Sequence, residues 1–128
     1  MLVVTTKDIP GYKIEAVIGE VMGLTARTMN FSAGLNASFR AMSSGGEIPE
    51  LTQLAYDSRN QVIDRMWQQC VQRGGNAVVR MRFITSSVTT SMSEVCAYGT
   101  AVVVRPLAAD EPGSTTQSAV QAQTQVEQ

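Results

Sequence analysis

Residues 49–75 read PELTQLAYDSRNQVIDRMWQQCVQRGG, and the spacing of apolar positions in this stretch decides the fold. Pro49 suits the first turn of a helix, where its missing N–H is no loss. Glu47 and Glu50 suit the positive end of the helix dipole. Leu51, Ala55, Ser58, Val62, Met66 and Cys70 recur along one stripe, widened by Leu54, Ile63, Trp67 and Val71. Asp57, Asn60, Asp64 and Gln68 fall on a wet face. Gly74-Gly75 supplies the left-handed cap that ends the helix. At 1.5 Å per residue, roughly 24 residues span about 36 Å.

The flanks read as strands. Ala77 to Ile84 and Ser93 to Arg105 form a hairpin around the polar connection Ser86–Ser91. Upstream, Lys13 to Thr25 alternates apolar residues around Gly19 and Gly23, after the turn Asp8-Ile-Pro-Gly11. Leu2 to Thr5 is β-branched and suits an edge strand. Phe31, Leu35, Phe39 and Met42 fall at helical spacing after Asn30 and predict a short, marginal helix before Ser43-Ser-Gly-Gly46. The expected fold is α+β in two layers: one long amphipathic helix on a mainly antiparallel sheet, in the order β-β-α-β-β. Residues 1–106 make the domain. Residues 107–128, rich in Ala, Gln, Ser and Thr, are expected to be disordered.

Side chains alternate across a sheet, so the hairpin sorts into faces. Val79, Met81 and Phe83, with Val95, Ala97, Gly99, Ala101 and Val103, are expected to meet the helix. Arg80, Arg82, Glu94, Cys96 and Tyr98 are expected on the other face, which one helix cannot cover. With the turn near Val88, Arg82 falls opposite Glu94, a pair worth ~0.2–1 kcal/mol. The uncovered face predicts a homo-oligomer, with Phe31, Leu35, Phe39 and Met42 as further interface candidates.

Composition narrows the function. The 128 residues carry net charge −1, which argues against a strongly basic nucleic-acid or membrane-surface protein. No apolar run approaches a membrane span, and the N-terminus lacks the pattern of a secretory signal, so a cytoplasmic location is expected. The chain has no histidine, so a serine triad built on one is excluded and the commonest metal ligand is missing. Cys70 and Cys96 form no CxxC, and the expected faces keep them too far apart for a disulfide.

Several short motifs stand in a fixed order: Val4-Thr-Thr6, Pro10-Gly-Tyr-Lys-Ile14, Gly19-Glu-Val-Met-Gly23, Gly45-Gly-Glu47, Gly75-Asn-Ala-Val-Val79 and Tyr98-Gly-Thr-Ala-Val-Val-Val104. With these the chain resembles the YbjQ family over residues 1 to about 106. The resemblance implies a β-rich α/β subunit in a ring, typically a homopentamer, with a heavy-metal-binding label. Family members often carry a cysteine near the Gly19 motif and a histidine after the second strand. This chain has Ile18-Gly19 and Thr28-Met-Asn-Phe31 there.

Three chemistries compete for the open sheet face. Soft-metal binding would use Cys96 with Glu94, but two ligands from one chain are too few. Thiol or redox chemistry at Cys96 would draw on Arg80 to lower its pKa. Arg80 and Arg82 would also suit an anion, through the guanidinium fork, although a salt-bridged face or interface uses the same residues. No catalytic residue and no cofactor emerges. The leading expectation is an oligomeric module that binds a small ligand or partner.

Overall fold

In the computed structural model the helix-start and helix-stop signals are both realised: helix α1 runs from Pro49 to Gln72. The structure describes residues 1–28, 49–89 and 92–127. The expected short helix carrying Phe31, Leu35, Phe39 and Met42 lies outside them. Gly74 adopts φ +89°. Its N–H donates to Val71 O at 3.0 Å, and the N–H of Gly75 donates to Cys70 O at 2.9 Å. This is the Schellman arrangement, which satisfies the last carbonyls of the helix. Burial along the predicted stripe is concentrated at Ser58, Val62, Met66 and Cys70, whereas Leu51 is 37% and Leu54 40% exposed.

Three strands form one antiparallel sheet in the order β1-β3-β2. They are β1 (Tyr12–Thr28), β2 (Ala77–Thr89) and β3 (Met92–Pro106). The fold is α+β, but the order of elements is β-α-β-β-α, not β-β-α-β-β. Two segments account for the difference.

The first is the N-terminus. It makes a single parallel bridge, Val3 to Val78, in place of a strand. It still runs along β2: Val4 N–H donates to Val78 O, Val78 N–H to Leu2 O, Arg80 N–H to Thr6 O and Met81 N–H to Val4 O, at 2.9–3.0 Å. A ladder needs even alternation, and Arg80, at φ 53°, interrupts it.

The second is the C-terminal segment expected to be disordered, which holds helix α2 (Thr116–Glu127). Alanine and glutamine are sparse in buriable surface but are good helix formers. Thr115 and Ser118 cap the helix reciprocally: Thr115 N–H donates to Ser118 Oγ at 2.8 Å and Ser118 N–H to Thr115 Oγ1 at 3.0 Å. Ser118 is fully buried. The cap rests on Gly11, where a Cβ would lie 2.6 Å from Thr115 Oγ1. Arg105 reaches both carboxylate oxygens of Glu111, at 3.0 and 3.1 Å. That pairing holds the Glu111 carboxyl below its ordinary range. Among the described residues no helix is long and apolar enough to cross a membrane.

By contacts the chain divides into two compact units. One comprises residues 1–21, 67–82 and 98–128; the other comprises 22–66 and 83–97. In the first, Ile9, Ala77, Val79, Val102 and Val104 form the core, with Leu2, Val4, Tyr12 and Ile14 packed against it. In the second, the backbone of α1 at Val62 and Met66 lies directly on Gly23 of β1.

The parity expectation needs one correction, and Arg80 is its cause. Val79 does not line the helix side with Met81 and Phe83; it sits in the Ile9–Val102–Val104 cluster. Val78 instead shares a side with Gly99: its Cγ1 lies 2.7 Å from where a Gly99 Cβ would be. Beyond Arg80, Phe83 meets α1 through Arg59, whose guanidinium carbon is 4.5 Å from the ring centroid. One bulged residue exchanges the sides of every residue before it relative to those after it. The register differs as well. β2 continues through Ser86 to Thr89, so the hairpin closes after Thr89, not near Val88. Gly99, not Val95, therefore comes against Met81.

Candidate functional site

The bulge at Arg80 also positions two concavities of the first unit. Arg80 is exposed in a left-handed conformation, which costs a non-glycine residue about 1–2 kcal/mol. Arg82, two residues on, is held rigidly: its Nη1 donates to Thr5 O at 2.9 Å and to Met81 O at 2.8 Å. Those bonds replace the expected pairing with Glu94.

Both arginines line two concavities. One, of about 480 Å³, adds Thr5, Thr6, Lys7 and Asp8 from the N-terminal segment. The other, of about 290 Å³, adds Glu20 of β1 with Tyr98 and Thr100 of β3. Thr6 is turned by its own hydroxyl, which donates to Asp8 O at 2.6 Å. In the larger concavity three cationic side chains stand against the one carboxylate of Asp8. Exposed N–H forks and hydroxyls on a rigid edge suit a phosphate or carboxylate group.

The structure thus brings together Arg80, Arg82 and Tyr98 of the residues proposed from sequence. Glu94 and Cys96 belong to the second unit and line neither concavity. Lys7, Thr5, Thr6 and Glu20 were not foreseen. They arrive only because the N-terminal segment docks along β2 and β1 lies beside β3, pairings that no local pattern announces. The threonine pair before Lys7 is the one signal a reader of the sequence could have used.

The thiols are buried. Cys96 Sγ lies 3.7 Å from Ala97 O. Cys70 Sγ donates to Ala77 O at 3.5 Å, and burial pushes its thiol up from the ordinary range. A thiol raised in the folded state contributes stability below its ordinary pKa and loses it as the pH rises through the folded value. Cys70 is therefore expected to react with a thiol reagent at least about tenfold more slowly in the native protein than in denaturant at pH 8. Equal rates by absorbance-monitored labelling would contradict a protected thiol.

A heavy metal needs several soft or anionic ligands converging. Among the described residues no group of three such side chains does so. The donor set of the described residues of one chain does not fit a metal centre.

A family model described as "Putative heavy-metal-binding" matches residues 1–105. The chain belongs to the YbjQ family. Among the relatives of this YbjQ-family chain is a UPF0145 protein of Mycobacteroides abscessus, 48% identical over 107 residues, covering 84% of this chain and 99% of that one. A UPF0145 protein of Sulfurisphaera tokodaii is 41% identical, covering 81% and 90%. Neither name states an activity. A crystal structure of a protein of unknown function from Pediococcus pentosaceus, assigned to the DUF74 family, covers 81% of this chain and 97% of that one. It aligns at 15% identity and TM-score 0.48, too loosely to bear on assembly or function.

Proposed function

We propose that this YbjQ-family chain is a non-catalytic binding module that holds a small anion at Arg80 and Arg82. It works as a homo-oligomer, a pentamer by family resemblance, in the cytoplasm. One observation carries the reading: two arginines on one bulged strand edge face two adjoining concavities, with Lys7 beside them. The strain at Arg80 supports it, because strained backbone clusters at ligand sites.

The test separates fold from binding. Arg80→Gly removes the guanidinium and suits φ 53°. It is expected to hold or raise stability, by about 0.5–1 kcal/mol, while weakening inorganic phosphate binding about tenfold, the worth of one charge-assisted hydrogen bond. Calorimetry at fixed ionic strength reads the binding and thermal unfolding the stability. Unchanged phosphate affinity in Arg80→Gly would sink the anion site. Sedimentation checks the assembly: a well-folded monomer at micromolar concentration would sink the oligomer.

A further inference from the structure

The second unit contains a separate concavity that the anion reading leaves unused. It has a volume of about 230 Å³ and is lined by Arg27 near the end of β1, by Leu51, Leu54 and Ser58 on the first turns of α1, by Arg59, and by Val95 of β3. Its chemistry is divided. Leu51, Leu54 and Val95 make an apolar wall, with Leu51 and Leu54 more than a third exposed despite lying on the helix side that was expected to be buried. Two guanidinium groups make the other wall.

Arg27 is committed in part only. Its Nη2 donates to Gln61 Oε1 at 3.0 Å. Its Nε is buried and has no hydrogen-bond partner. A dry, unpartnered donor on a charged group is among the costlier arrangements in a folded protein, and such groups in native structures call for a partner. Arg59 stacks on Phe83, its guanidinium carbon 4.5 Å from the ring centroid. Stacking occupies the face of the guanidinium and leaves its in-plane N–H donors free of the ring. Ser58, only 4% exposed, adds a hydroxyl to the lining.

We propose that this concavity binds a short amphiphilic carboxylate. The carboxylate accepts from the outward N–H groups of Arg27 and Arg59. The aliphatic tail covers Leu51, Leu54 and Val95. The size selects a short chain, since the volume lies below the roughly 300–1,000 Å³ of drug-sized sites. A bare anion would leave the apolar wall wet, and a neutral alcohol would leave the guanidinium unpaired. Both halves of the ligand are therefore required.

Hexanoate is the probe, with acetate and hexanol as its two halves, titrated into the full chain by calorimetry. Hexanoate is expected to bind at least about tenfold more tightly than either half. Arg27→Gln and Arg59→Gln are each expected to weaken it about tenfold. Leu54→Asn, at a partly exposed position, is expected to weaken hexanoate while leaving acetate unchanged and the circular dichroism spectrum native. Arg80→Gly, in the other unit, is expected to leave hexanoate binding intact, so this site and the phosphate site stand or fall separately. Hexanoate binding no tighter than hexanol would overturn the proposal. So would full hexanoate affinity in Arg27→Gln or in a natively folded Leu54→Asn, or loss of hexanoate binding in Arg80→Gly.

Discussion

Gly23→Ala is expected to lower stability by at least about 3 kcal/mol, at or beyond the upper end of ordinary overpacking. A Cβ at Gly23 would fall inside the Val62 carbonyl oxygen and 2.6 Å from the Met66 nitrogen. Both atoms are helix backbone, held by the hydrogen bonds of α1, so no rotamer change can clear them. Either α1 lifts from β1 or the strand bends away, and each loses the packing of Val62 and Met66. With a total stability of about 5–15 kcal/mol, such a loss leaves a marginal protein. The melting temperature should fall by roughly 10 °C or more. A melting temperature within about 2 °C of the parent would show that α1 does not seat directly on Gly23.

Met66→Ala is expected to cost about 2–5 kcal/mol. Met66 is fully buried and is the largest of the fully buried side chains among the described residues. Truncating it removes the transfer energy of three heavy atoms and leaves a void that α1 cannot collapse, because Gly23 already brings the backbones into contact. Leu54→Ala provides the contrast: at 40% exposure it should cost under about 1.5 kcal/mol. Denaturant unfolding with an unchanged slope reads both values directly. Similar costs at the two positions would mean that α1 is not seated by its Ser58–Cys70 side.

How much was legible follows from the range of each cause. The start and stop of α1 were readable because a cap and a glycine act on their own neighbours: Gly74 and Gly75 close the helix on carbonyls three and five residues away. The strands were readable from alternation, and Phe83 fell on the helix side as parity required. Parity failed at Val79, one residue before a left-handed arginine. Arginine carries no preference for that conformation, so the bulge has no signature in composition. Helix α2 was misread because a segment poor in apolar residues was taken as unable to pay for order. Its reciprocal Thr115–Ser118 cap is local, but its seat on Gly11 is a contact with a turn far away in the chain.

The site divides the same way. Arg80, Arg82 and Tyr98 line one concavity, and all three lie on one hairpin whose pairing is local. Lys7, Glu20 and the whole Arg27–Arg59 concavity come from segments joined only by the fold. The sequence alone determined an α+β fold with one long helix and an antiparallel sheet, because periodicity, capping and turn chemistry act within a few residues. Tertiary structure alone decided which side each residue near Arg80 takes, where the two chain termini dock, and which guanidinium groups are left facing space. Those outcomes depend on backbone register and close approach between distant segments, whose energies no local pattern of residues encodes.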